Sequence, residues 1–123
     1  MKLEQKKRKN SVFKPSHELP GDLKSDYIIL PYGEFYQKSS KMMQAKRGDT
    51  IRFFNGPERK IVGVFRVTQP DVCDALCRVR YGISWQVALA KWQRYAEMEG
   101  NGKGIISPNE CLMVVFENED ENI

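Results

Sequence analysis

Two β-rich runs separated by a breaker constrain this chain more than any other stretch. Gly48-Asp49 opens the first run as a turn pair, because glycine accepts positive φ and aspartate bonds nearby backbone. Thr50 to Phe54 is β-branched and aromatic, which suits a pleated, half-buried surface. Asn55-Gly56-Pro57 interrupts it. Lys60 to Thr68 then forms a second β-rich run. Together they predict an antiparallel hairpin with a loop of roughly four to five residues.

The chain has 123 residues, enough for one domain with its own core. Hydrophobic residues make up 41% of it, which excludes compositional disorder. No run approaches the roughly 18 apolar residues that a membrane span needs. Residues 1–10 are basic but no apolar stretch follows them, so they do not read as a signal peptide. Cys73, Cys77 and Cys111 make an odd count. Without a secretory signal, that predicts reduced thiols and a cytoplasmic location. Charge is unevenly placed. Residues 1–66 hold 15 Lys+Arg against 7 Asp+Glu, a net of +8, and residues 67–123 hold 5 against 9, a net of −4. A basic half of this kind is either a face for a polyanion or ordinary solvated surface.

Lys2 to Lys9 reads as an arm, either phosphate-binding or solubilising. Ser11-Val12-Phe13-Lys14-Pro15 reads as a short first strand that Pro15 stops or places at an edge, and Asp26 to Leu30 as a second, bounded by Pro31 and Gly33. Lys38 to Arg47 has no acidic residue. It reads as an exposed loop or short helical turn leading into the hairpin. After the hairpin, Asp71 is the expected N-cap of a helix whose apolar stripe is Val72, Ala75, Leu76 and Val79, closed by Gly82. Ser84 caps a second helix, with Trp85, Ala88, Leu89, Trp92, Tyr95 and Ala96 on one face. Cys111 to Phe116 is an unbroken apolar run, predicted to be a strand buried on both faces.

Few constellations carry chemistry. Cys73 and Cys77 with Cys111 and His17 lack the tight Cys-x-x-Cys knuckle of a zinc site, so buried structural thiols are expected and no metal or cofactor. Gly-Asn-Gly-Lys-Gly at 100–104 lacks the Gly-Lys-Ser/Thr ending of a phosphate loop and follows a helix instead of a strand. Trp85 and Trp92 read as core in preference to base-stacking platforms, since stripes of period 3.6 normally face a core. What remains is a basic and aromatic set around the hairpin. Lys38, Lys41, Lys46, Arg47, Arg52 and Arg66 are the candidate phosphate contacts, and Tyr36 a candidate stacking residue. By alternation, Arg52 faces away from Ile51 and Phe53, and Arg66 away from Phe65 and Val67, the apolar residues filling the inner face.

Gly48-Asp49-Thr50-Ile51-Arg52-Phe53, the run Val62 to Val67, the closing Leu112 to Glu117 and the opening Val12-Phe13-Lys14-Pro15 together resemble the ASCH domain of the PUA-like β-barrel superfamily. The resemblance covers roughly residues 11–117. It implies an α+β fold: a small PUA-like β-barrel of about five to six strands, with helices near 71–81 and 84–99 covering one opening. The domain plan is a basic N-terminal arm at 1–10, a single domain at 11–117 and an acidic tail at 118–123. The family's Gly-x-Lys-x-x-x-x-Arg segment is not found before Gly48. The lysine, threonine and glutamate that some members use on acetylated cytidine are therefore not carried over. The expected function is nucleic-acid binding, RNA above all. Two alternatives stand beside it: a nucleotide-modifying amidohydrolase of the ASCH type, and an interaction module whose basic face takes an acidic protein partner.

Overall fold

The hairpin forms as its residues dictate. The computed structural model describes residues 11–13, 26–33, 37–52, 58–98 and 106–117. Strand β3 (Thr50–Arg52) pairs antiparallel with β4 (Glu58–Val67), placing Ile51 opposite Arg59 and Arg52 opposite Glu58. Phe53 and Phe54, expected to extend the first strand, lie outside the described residues. β4 serves two neighbours. Its first residues pair with β3; from Ile61 to Val67 it pairs antiparallel with β5 (Cys111–Phe116), with a register irregularity between Ile61 and Gly63. β1 (Val12–Phe13) lies parallel to β3, and β2 (Tyr27–Pro31) antiparallel to β5. The result is an α+β fold with a five-stranded mixed sheet in the order β1-β3-β4-β5-β2. Among the described residues it carries three helices: α1 (Gln37–Met43), α2 (Pro70–Tyr81) and α3 (Trp85–Met98). Among the described residues no pairing joins the edges β1 and β2.

The period of two along a strand divides the apolar residues of β2 and β5 between two cores. Ile29 and Cys111 point to α2 and α3, joining Cys73, Cys77, Trp85, Ala88 and Trp92. Ile28, Leu30, Leu112 and Val114 point the other way, joining Ile51, Ile61, Phe116 and Met42 of α1. β5 is thus buried on both faces, as its unbroken apolar run predicts. Both tryptophans are core, with ring centroids 5.6 Å apart at 69°, and Trp85 Nε1 donates to Pro108 O at 2.8 Å. Truncating a buried tryptophan costs about 3–5 kcal/mol, so Trp92 is among the largest single contributors to this core.

β2 is an edge strand whose outward backbone groups are closed by side chains. Tyr81 Oη accepts the Ile29 N–H at 2.9 Å and donates to the Ile29 carbonyl at 3.2 Å. Arg80 Nε donates to Tyr27 O at 2.7 Å, and Ser39 Oγ donates to Pro31 O at 3.1 Å. Pro31 itself has no N–H to satisfy, the usual reason a proline sits on an edge. Arg80 is buried, and its Nη1 finds no hydrogen-bond partner among the described residues.

The helices correct two sequence expectations. The N-cap of α2 is Gln69, with Pro70 at the first helical position and Asp71 inside the first turn. Proline's fixed φ and missing N–H fit that position, which displaces Asp71 from the cap. The buried face of α2 is Cys73, Cys77 and Arg80 with Leu76 partly covered, while Val72 is 40% and Val79 80% exposed. The apolar stripe is therefore set by the two cysteines, which pack as small hydrophobes; reading the valines as the stripe turns the helix by one residue. Gly82 does close α2, at φ 71° with its N–H on Arg78 O at 3.0 Å. Ser84 caps α3 through Oγ, which accepts the Val87 N–H at 3.2 Å. Asp74 reinforces that end from α2, its Oδ1 accepting the Trp85 N–H at 2.8 Å.

Phe65 also departs from expectation. It does face away from Arg66, but it is 53% exposed and fills no inner face. α2 and α3 cover this side of the sheet around Cys111 and Val67 and do not take Phe65 into their core. Its ring instead folds over Gly63, where an added Cβ would meet it at 3.1 Å.

Candidate functional site

The end of α1 and the connection from it to β3 carry Lys41, Lys46 and Arg47, all exposed. α1 is the short helix that the acid-free run left open between loop and helical turn. It is docked by Met42, 6% exposed, and by Ser39, whose Oγ also accepts the Gly33 N–H at 3.2 Å. Lys41 then lies in the last turn of α1, where a cation complements the helix dipole. Lys38 is the second residue of the same helix.

The turn after α1 is fixed by a buried acid. Asp49 is 1% exposed. Its Oδ2 accepts the Lys46 N–H at 2.8 Å, and its Oδ1 accepts the Ser11 N–H at 2.9 Å. The Asp49 N–H donates to Lys46 O at 3.0 Å, and Gly48 stands at φ 96°. Positive φ at the third position of a four-residue turn is the geometry that selects glycine. Gly48 N–H donates to Ile61 O at 3.0 Å and Ile61 N–H to Asp49 O at 2.7 Å, which ties the turn to β4. Hydrogen bonds to a charged group are worth about 1.5–3 kcal/mol each, so Lys46 and Arg47 are mounted on an anchored support.

The two strand arginines stand differently. Arg52 Nε donates to Glu58 Oε2 at 2.7 Å, and its Nη2 pairs with the same oxygen. Arg66 Nε donates to Glu110 Oε1 at 2.7 Å, and its guanidinium lies 4.4 Å from the centre of the Tyr32 ring. Glu110 Oε2 accepts from Ser107 Oγ at 3.1 Å, and Ser107 N–H donates to Tyr32 O at 2.6 Å. Arg66 is thereby part of the bonding that holds the 107–110 turn to the end of β2. Among the described residues Lys41, Lys46 and Arg47 form no ion pair. Tyr36, the candidate stacking residue, lies outside the described residues.

The candidates thus fall into a carboxylate-paired set on the strands and a set on α1 and the α1–β3 connection that has no ion pair among the described residues. Lys60, exposed on β4 and in register with Thr50, adjoins the second set and was not among the sequence candidates. Its signal was the alternation that left it outward between buried Arg59 and Ile61. Asp49 was legible as a turn former but not as the acid that joins β1, the turn and the hairpin, because Ser11 is 38 positions away.

The cysteines lie apart from this surface. Cys73, Cys77 and Cys111 are buried free thiols. Burial pushes Cys77 up to about 12 and raises Cys73 and Cys111 above the ordinary thiol range, so they are held as neutral thiols. His17 lies outside the described residues, and no group of three metal-ligating side chains is assembled among the described residues. No described helix is long and apolar enough to cross a membrane. No protein-family model matches the chain, and no match was found among curated proteins or solved structures.

Proposed function

We propose that the protein binds nucleic acid, RNA above all, through the cations of the α1–β3 connection. The observation that carries this reading is the Lys46–Arg47 turn: two exposed cations with no described counter-charge, on backbone fixed by buried Asp49. A turn already held in place needs no backbone ordering when its cations meet phosphate, and phosphate contacts supply most sequence-independent affinity. Lys41 and Lys60 extend the same surface; Lys38 and Tyr36 are proposed to join it. Arg52 and Arg66 contribute less, because each would exchange a carboxylate for a phosphate. The α+β architecture supports a PUA-like arrangement of the ASCH type, with closure of the sheet into a barrel as part of the proposal.

The test is binding to single-stranded RNA, duplex RNA and DNA across a range of salt, with Lys46→Ala/Arg47→Ala beside the parent protein. The rival readings have their own signatures. A nucleotide-modifying amidohydrolase would release acetate from an acetylated nucleoside and lose that activity in Lys38→Ala or Lys41→Ala. An interaction module would hold an acidic protein through nuclease treatment while retaining no nucleic acid.

A further inference from the structure

We infer that Phe65 is a base-stacking residue, its ring taking an unpaired base of a single strand on the open part of the sheet face that α2 and α3 share; this rests on the nucleic-acid reading above. Strand register places the residues. Gly63 pairs with Val115 and Phe65 with Met113. These lie on the opposite face from Ile61, Val64 and Val114, which belong to the core that Met42 joins. Lys60 shares the face of Phe65, because its neighbours Arg59 and Ile61 are both buried toward the other one. Arg59 stands opposite Ile51 and lies 5.0 Å from the centre of the Phe116 ring.

The helices cover only part of this face. α2 is bonded to β2 through Tyr81 and Arg80, two strands away from β4 in the sheet order. Phe65 is left 53% exposed, and its ring leans back along the strand over Gly63. A phenylalanine ring has no hydrogen-bonding group, so it can recognise only another apolar or aromatic surface. Cations stand on the same strand. Lys60 is exposed on the same face, and the Lys46–Arg47 turn is bonded to β4 at Ile61 through Gly48 and Asp49. Ile61 precedes Phe65 by four residues, within about 13 Å at the usual rise of a strand. A ligand with an anionic backbone and flat aromatic groups complements this pairing of cations and ring. A single strand of nucleic acid is such a ligand, whereas a duplex keeps its base faces inside the stack.

The probes are pentauridylate and an abasic ribose-phosphate chain of the same length, titrated over salt against the parent protein, Phe65→Ala, Phe65→Leu, Phe65→Trp and Lys46→Ala/Arg47→Ala. The parent should prefer the oligonucleotide with bases by about five-fold or more, the usual worth of one stacked base. Phe65→Ala and Phe65→Leu should lose most of that preference with the salt slope unchanged, and Phe65→Trp should keep it. The leucine variant retains an apolar side chain at the exposed position, so thermal unfolding of the variants separates lost stacking from lost folding. A base preference unchanged in Phe65→Ala, in a protein whose salt slope does fall with the turn substitutions, overturns the stacking role and leaves the nucleic-acid reading standing. Equal loss in Phe65→Trp and Phe65→Ala also overturns it. No binding of either probe by the parent protein removes the reading and the inference together.

Discussion

The phenol oxygen of Tyr81 occupies both hydrogen-bonding groups of Ile29, accepting its N–H at 2.9 Å and donating to its carbonyl at 3.2 Å. A residue of α2 therefore takes the place that a further strand would have at the open edge of β2. Burial pushes the phenol well above its usual range, so it remains a donor at any ordinary pH. Tyr81→Phe keeps the ring and deletes the oxygen, leaving two backbone groups unsatisfied. It should cost about 1–3 kcal/mol in urea unfolding. It should also raise the fraction of large species in light scattering, because an unplugged edge pairs with other chains.

The orientation of α2 is checked by two substitutions two residues apart. Val79 is 80% exposed, and Val79→Ser should change stability by no more than about 0.5 kcal/mol. Cys77 is fully buried among apolar neighbours, and Cys77→Ser should cost about 1–3 kcal/mol for burying a hydroxyl. A large loss at Val79 with none at Cys77 would restore the valine stripe.

Asp74 sets an acid limb on stability. The Trp85 N–H first, and Arg78 second, hold its carboxyl below the ordinary value of 3.8. A depressed folded pKa gives stability that is fully present above the unfolded pKa and lost as pH falls through the folded one. Thermal midpoints should therefore be insensitive to Asp74 above about pH 5 and fall below about pH 4, the window following from that linkage. Asp74→Asn, measured over the same range, should show a shallower fall in acid.

Arg66 and the Lys46–Arg47 pair should separate into different kinds of loss. Arg66→Ala removes the guanidinium from Glu110 and Tyr32. It should lower stability with little effect on the salt dependence of binding. The Arg66 side chain is 46% and the Glu110 side chain 20% exposed, so the ion pair itself should be worth no more than the roughly 0–1 kcal/mol of a surface pair, the packing on Tyr32 adding to the loss. Thermal unfolding and a salt titration on the same preparation decide it.

The fold was legible where local chemistry decides it: the Gly48-Asp49 turn, the alternation of Ile51 and Arg52, the caps at Gly82 and Ser84, and the unbroken run of β5. It was not legible where partners distant in sequence decide it. Nothing near Tyr81 announces a bond to Ile29, 52 positions away, and nothing near Arg66 announces Glu110, 44 positions away. The sequence therefore ranked all six cations of the hairpin region alike. Only the fold distinguishes arginines already facing carboxylates from the lysine–arginine turn that faces none among the described residues. The parallel placement of β1 against β3 has the same origin, since it depends on Asp49 reaching Ser11.

The most direct measurement is the log–log dependence of single-stranded RNA affinity on salt, for the parent protein and for Lys46→Ala/Arg47→Ala. The parent should bind at low salt with a steep negative slope, and the double substitution should reduce that slope by about one to two units, at about 0.7 per phosphate contact. No binding at low salt, or a slope and affinity untouched by the double substitution, would contradict the claim and leave this basic turn as solvated surface.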